Sequence, residues 1–283
     1  MMRLTEQPPL VVAKYHGLGN DFVLIDRRGR APLSPDIARW LCDRHLGVGA
    51  DGVLALHAEP DGTPRMRVHN ADGSIADMCG NGLRCFVRWL CDELGHPVRP
   101  FVVMAECGPQ DVEPIAPQGL VSHVRVNLGA ATVRGEAQVT LAERVYDGVD
   151  LSVGNPHFVI PRGLAAGELE AVGLRLSTHA FFPRGANIEW LEVRDTRHAL
   201  VTVWERGCGP TQACGTGGGA AAATGVRLGL LAADTDLVIQ QPGGALTYRV
   251  AADLSSVWMT GPAEPVWFGQ LRGTLAAQVL AEG

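Results

Sequence analysis

Cys79-Gly80-Asn81-Gly82-Leu83-Arg84-Cys85-Phe86-Val87-Arg88-Trp89-Leu90 is the stretch from which the organisation of this chain can be read. Leu83, Phe86, Val87 and Leu90 keep i, i+3, i+4, i+7 spacing, and Gly95 follows, so a helix is expected from about Gly82 to Leu94. The same C-g-x-g pattern returns 135 residues later as Cys214-Gly215-Thr216-Gly217, ahead of an alanine- and glycine-rich run that reads as a helix from about Gly217 to Leu230. Two Cys-Gly turns, each opening a helix and separated by roughly half the chain, imply two similarly built halves with a seam near Asn127 to Gly135. If the halves face one another, both turns lie at the cleft between them.

Working outward, short β-type runs punctuated by Gly, Pro and Asp surround these helices. They are Phe22–Ile25, Arg65–Val68, Phe101–Met104, Val121–Val126, Phe158–Ile160, Val201–Trp204, Leu237–Ile239, Leu246–Val250 and Val257–Thr260. Ser34-Pro35-Asp36 places a cap, a proline and an acid at the start of one further helix. The expected class is therefore α/β (α+β) and rich in sheet. With 46% apolar and 19% charged residues, the 283-residue chain is globular and has ample core.

Charge and composition exclude several functions. Acidic residues outnumber basic ones, 30 to 24, and no long Lys/Arg run exists, so no nucleic-acid partner is expected. No stretch approaches the ~18 apolar residues of a membrane span, and Met1 to Pro9 has no apolar core like that of a secretory signal. Lys14 is the sole lysine, so a pyridoxal Schiff base or a P-loop would have to use it. Seven irregularly spaced cysteines fit reduced thiols in a cytoplasm.

A cysteine at a helix start lies near unpaired backbone N–H groups and the positive end of the helix dipole. That environment favours thiolate and lowers the thiol pKa. The glycines beside it allow a carboxylate to approach those N–H groups. Two facing turns could hold one carboxylate with a sulfur on each face of its α-carbon. One thiolate would then remove the α-proton while the opposite thiol supplies another. Against this, a single cysteine among small residues is usually a buried hydrophobe, as is expected of Cys42, Cys85, Cys91, Cys107 and Cys208. A redox pair or a non-catalytic carboxylate-binding module also remains open at this point.

Other motifs fail on context. Gly215 to Ala220 matches G-x-G-x-x-A with Asp234 and Asp236 beyond, but a Gly/Pro loop separates it from the preceding strand-like run. His57-Ala58-Glu59 lacks the P-C-x-x-C partner of zinc deaminases. Cys79, Cys85 and Cys91 do not share a helix face, so no metal is expected. Asn20, Asn70, Asn155 and Asn187 sit in polar turns, where asparagine is common. Glu205-Arg206 reads equally as a surface pair, and His157 as a core histidine.

Taken together, His16 to Phe22, Asp43 to Gly52, Asn70 to Arg84, Gly154 to His157, Gly185 to Asn187, Glu205 to Gly217 and Met259 to Ala263 resemble the diaminopimelate epimerases. The resemblance implies two pseudo-symmetric lobes, each a mostly antiparallel sheet wrapped around a central helix, with the active-site cleft between them. The lobes would be residues 1–127 and 128–283, with the tail, about 265–283, packing back onto the first. It implies epimerisation of LL-2,6-diaminoheptanedioate to the meso form without a cofactor, with Cys79 and Cys214 as the acid–base pair, in lysine and peptidoglycan-precursor synthesis. His157 and Glu205 would tune the thiols. Gly80, Asn81, Gly215 and Thr216 would hold the reacting carboxylate. Asn20, Asn70, Asn155, Asn187, Glu205 and Arg206 would recognise the substrate, with Arg206 suited to a carboxylate and Glu205 to an ammonium. Trp267 would contribute to a homodimer. Gly52, Pro210 and Met78 depart from residues frequent in the family. The nearest alternative is a proline- or hydroxyproline-type racemase, which would have no distal amino-acid group to recognise.

Overall fold

In a computed structural model, the structure describes residues 10–116 and 122–282. Met1 to Pro9 and Val121, considered above, lie outside the described residues. The chain divides into two compact units, Met1–Val126 with Pro262–Gly283, and Asn127–Gly261.

The first unit contains β1 (Leu10–Gly17), β2 (Asn20–Asp26), α1 (Pro35–Cys42), β3 (Gly52–Ala58), β4 (Pro64–Asn70), β5 (Ile75–Ala76), α2 (Gly80–Glu93), β6 (Phe101–Ala105), β7 (Gly108–Pro114) and β8 (Ser122–Asn127). The second contains β9 (Thr132–Leu141), β10 (Arg144–Ser152), β11 (Pro156–Ile160), α3 (Glu168–Ser177), β12 (Asn187–Val193), β13 (His198–Glu205), β14 (Gly209–Pro210), α4 (Gly215–Arg227), β15 (Asp236–Gln241) and β16 (Gly244–Val250). In β17 (Val257–Leu271), Val257–Thr260 pair with β16 and Glu264–Leu271 pair with β1. Helix α5 (Thr274–Ala281) follows.

The two units repeat one topology. In the first, β1–β2 is antiparallel, β2–β3 parallel, β3–β4 antiparallel, β4–β6 parallel, and β6–β7 and β7–β8 antiparallel. In the second, β10–β11 is antiparallel, β11–β12 parallel, β12–β13 antiparallel, β13–β15 parallel, and β15–β16 and β16–β17 antiparallel. Short β5 lies on β4 as β14 lies on β13. The register corresponds as well. Phe22 opposes Gly52 and Gly52 opposes Asn70, while His157 opposes Asn187 and Ile188 opposes Trp204. Hence Phe22 corresponds to His157, Leu54 to Glu189 and α2 to α4.

Each unit wraps its sheet on a helix. Helix α2 packs on β1, β2, β4 and β7, and α4 packs on β10, β11, β12, β13, β15 and β16. The burial is achieved differently. Leu83, Phe86, Val87 and Leu90 of α2 are buried large side chains, each worth about 1.5–3 kcal/mol. Helix α4 buries Ala220–Ala223 and a run of glycines instead, so the sheet approaches its backbone. A Cβ at Gly218 would lie 2.3 Å from the Tyr248 hydroxyl. These glycines serve helix–sheet contact, which accounts for the dinucleotide-like spelling of Gly215 to Ala220.

Candidate functional site

In the first unit, Cys79 is the N-cap of α2. Its backbone is extended (φ −141°, ψ 110°), and its Sγ accepts the Gly82 N–H at 3.3 Å. The thiol is half-buried. Behind the turn, the fully buried Arg84 donates through Nη1 to the Gly80 carbonyl (3.4 Å), through Nη2 to Asn81 Oδ1 (3.0 Å) and through Nε to the Pro262 carbonyl (3.1 Å). Asn81 Nδ2 then donates to Asn20 Oδ1 (3.3 Å), and Asn20 Nδ2 to Asp51 Oδ2 (2.9 Å). The orientation of both amides is set by this chain of bonds.

Asp51 is linked onward. Arg44 bridges Asp51 (2.9 Å) and Asp21 (2.8 Å), and Lys14 pairs with Asp21 at 2.8 Å while donating to the Gly49 carbonyl. Burial acts to raise the Asp21 carboxyl, but Arg44 and Lys14 outweigh it and hold the group at about 2. The sole lysine is therefore part of the frame that fixes Asn20. Asn70 sits at the turn after β4, where its Nδ2 donates to Ser74 Oγ at 2.9 Å.

In the second unit, Cys214 caps α4 in nearly the same way. Its backbone is again extended (φ −120°, ψ 115°), and Sγ accepts the Gly217 N–H at 3.3 Å. Thr216 Oγ1 lies 3.6 Å from the sulfur. Two side chains from neighbouring strands fix the turn. Gln241 Oε1 accepts the Cys214 N–H (2.8 Å), and the Tyr248 hydroxyl donates to the Gly215 carbonyl (2.8 Å). Unlike Cys79, Cys214 is buried, at 6% exposure.

That burial corrects one expectation. A helix start was expected to lower both thiol pKa values, yet the Cys214 thiol is raised well above its ordinary value. Loss of solvent is the largest cause, and the neighbouring carboxyl groups of Glu205 and Glu189 add to it. The Gly217 N–H and the Thr216 hydroxyl oppose the shift with smaller effect. Cys214 rests as a thiol.

The remaining polar residues form two groups. His157 Nε2 meets Asn155 Oδ1 at 2.8 Å and Nδ1 meets Glu189 Oε1 at 2.7 Å, with His157 and Glu189 both fully buried. Asn187 Oδ1 accepts the Arg206 N–H (2.8 Å), Arg206 Nη1 donates to the Arg184 carbonyl (2.9 Å), and Glu205 accepts from the Thr211 hydroxyl (2.5 Å). Asn187 thus shapes the Glu205–Arg206 turn. Trp267 is 36% exposed between Val266 (50%) and Phe268 (55%).

The expected residues leave out Arg84, Asp51, Gln241, Tyr248 and Glu189. For Glu189 a signal was present: a lone acid inside the apolar run Ile188-Glu189-Trp190-Leu191. Arg84 and Asp51 fall inside the segments that carried the resemblance. Gln241 and Tyr248 gave no signal, because only pairing of β15 and β16 brings them to the turn.

Two solved structures share this fold. A protein described as a predicted epimerase from Pseudomonas aeruginosa matches with a TM-score of 0.72 at 16% identity, over 94% of this chain and 100% of that one. A hydroxyproline epimerase from Agrobacterium vitis, with bound trans-4-hydroxy-L-proline, matches with a TM-score of 0.69 at 13% identity, over 96% and 95%. The fold is thus the two-lobed α/β class of proline-racemase-like proteins.

Within that class, the diaminopimelate epimerase family model matches residues 12–133 and 150–266. Diaminopimelate epimerase of Prochlorococcus marinus is 37% identical over 96% of this chain and 97% of its own length, and that of Azotobacter vinelandii is 37% identical over 92% and 98%. This chain belongs to the diaminopimelate epimerase family.

Proposed function

We propose that this enzyme converts LL-2,6-diaminoheptanedioate to the meso form by a two-base reaction on sulfur. One observation carries the reading: two cysteines cap two helices in matching geometry, each sulfur accepting its own helix N–H at 3.3 Å. Since Cys214 rests as a thiol, the scheme assigns the thiolate to Cys79. The α-carbon–hydrogen bond breaks, its proton passes to the Cys79 sulfur, and the electron pair moves into the substrate carboxylate. The Cys214 S–H bond then breaks and its proton adds to the opposite face of the α-carbon. Both cysteines end in exchanged protonation states, and the reverse reaction uses them in exchanged roles.

Backbone N–H groups at the two helix starts, those of Gly80, Asn81, Gly215 and Thr216, would stabilise the charge developing on that carboxylate. Asn20, Asn70, Asn155, Asn187, Glu205 and Arg206 would recognise the remainder of the substrate, with Arg206 on the distal carboxylate and Glu205 on the distal ammonium. Both proton transfers are supplied by sulfur, so neither needs pyridoxal or a metal. Lys14, held by Asp21 and Gly49, supports this reading.

The test is epimerisation without added cofactor in D₂O. Solvent deuterium should appear at the inverted α-carbon, and inversion without label would overturn the two-base scheme. A substrate panel with proline and hydroxyproline separates the racemase alternative.

The exposed strip Val266-Trp267-Phe268, with Val11 of the adjoining strand at 45% exposure, supports a homodimer through this edge. Trp267→Ala should shift the enzyme toward monomer in sedimentation, and an unchanged dimer would remove Trp267 from that role. Among the described residues no helix is long and apolar enough to cross a membrane. Seven irregularly spaced cysteines support a reducing cytoplasm as the site of action.

A further inference from the structure

The repeat supplies a control within the molecule. At corresponding positions of β2 and β3 the first unit has Phe22 and Leu54, both apolar and buried. At the matching positions of β11 and β12 the second unit has His157 and Glu189, both fully buried and 2.7 Å apart. The surroundings match too. A Cβ on Gly82 would lie 3.0 Å from Leu54 Cδ2 and 3.4 Å from Cys79 Sγ. A Cβ on Gly217 would lie 2.9 Å from Glu189 Oε1 and 3.2 Å from Cys214 Sγ. Glu189 thus flanks the same small volume as the Cys214 sulfur, where the first unit places a leucine. The fold does not require a polar pair there, and burying one is costly.

We propose that Glu189 is a positioning residue for the Cys214 half of the reaction, acting through His157 to orient Asn155. Asn155 Oδ1 accepts, so His157 Nε2 carries hydrogen, and a single proton lies between His157 Nδ1 and Glu189 Oε1. The other carboxyl oxygen, Oε2, is buried with no hydrogen-bond partner. A bare carboxylate oxygen there is unfavourable, which places the shared proton on the carboxyl. Burial raises the Glu189 carboxyl, with Glu205 adding to it and His157 opposing. The titratable groups facing Glu189 are His157 from β11, Glu205 from β13 and Cys214 at the start of α4. With Nδ1 occupied, the ring keeps its Nε2–H on Asn155 Oδ1, and the Asn155 amide N–H₂ is left for a substrate acceptor.

This inference rests on the proposed epimerase chemistry for its activity readout, so the decisive measurement is independent of turnover. ¹⁵N-edited NMR of the full chain should show His157 as the Nε2–H form at neutral pH in the parent and in Glu189→Gln, whose amide still donates to Nδ1. In Glu189→Leu the ring should populate both tautomers. In kinetics, Glu189→Gln should stay near parental, while Glu189→Leu should raise KM about fivefold with a smaller change in kcat. The double change His157→Phe with Glu189→Leu copies the apolar pair of the first unit and should fold while keeping the raised KM. An imidazolium signal in the parent, or a Glu189→Gln variant as impaired as Glu189→Leu, would overturn the inference. A normal His157 tautomer with no epimerase activity in the parent would count against the proposed function alone.

Discussion

The Cys79 and Cys214 turns share backbone, cap geometry and following helix, yet their surroundings are opposite in kind. Cys79 is half-buried in front of a fully buried arginine and a chain of amides that ends in ion pairs. Cys214 is buried beside two acids, under a helix stripped to alanine and glycine. Two similar halves therefore give two dissimilar thiols. A reaction that needs one sulfur protonated and one not has its starting asymmetry in these surroundings rather than in the turns themselves.

The strongest way to break the comparison is to remove each sulfur. Cys79→Ala and Cys214→Ala should each lower epimerase activity by about 10³-fold or more, consistent with the loss of a general acid–base group. A single variant with near-normal turnover would end the pairing. Arg84→Leu should destabilise the first unit by about 3 kcal/mol in chemical denaturation, because it strips hydrogen bonds from Gly80, Asn81 and Pro262 in one step.

The corresponding glycines give a finer test. Gly217→Ala forces its Cβ against Glu189, Cys214 and Val203 and should cost about 1–3 kcal/mol. Gly82→Ala meets chiefly the end of the Leu54 side chain, and relief of glycine's backbone freedom offsets that, so its change should stay within about 1 kcal/mol. Equal effects would mean the two turns are packed alike. Tyr248→Phe, which removes one hydrogen bond to Gly215, should cost only about 1 kcal/mol.

Titration sharpens the comparison further. The Cys214 thiol is raised in the folded state, so its contribution to stability is full below the unfolded thiol pKa and is lost as pH rises from about 8.5 toward the folded value. Cys42 (about 11) and Cys85 (about 12) act in the same sense. Stability should therefore fall in the alkaline range, and Cys214→Ala should reduce that slope. Limited alkylation followed by mass spectrometry should label Cys79 before Cys214. The reverse order would contradict the assignment of Cys214 as the resting thiol.

Much of this was legible along the chain. The expected helix from about Gly82 to Leu94 corresponds to α2, and the one from about Gly217 to Leu230 to α4. Ser34 caps α1 by accepting the Ile37 N–H at 3.3 Å. Other elements left little trace. Strand β9 is largely exposed along its length, so no apolar alternation marks it. Helix α3 starts from Gly167 with φ 70° and no side-chain cap, and so lacks the usual start signal. Gln241 and Tyr248 reach the Cys214 turn only through strand pairing, which no local pattern encodes.

The sequence by itself determined the two cysteine caps, the glycines that make room beside them, and the family to which the chain belongs. Those depend on neighbours within a few residues or on motifs spread in fixed order. Tertiary structure alone decided how the two turns differ. Burial, an arginine behind one turn and carboxyls beside the other come from residues distant in sequence. Their electrostatic effect depends on distance and on exclusion of water, which only the folded chain sets.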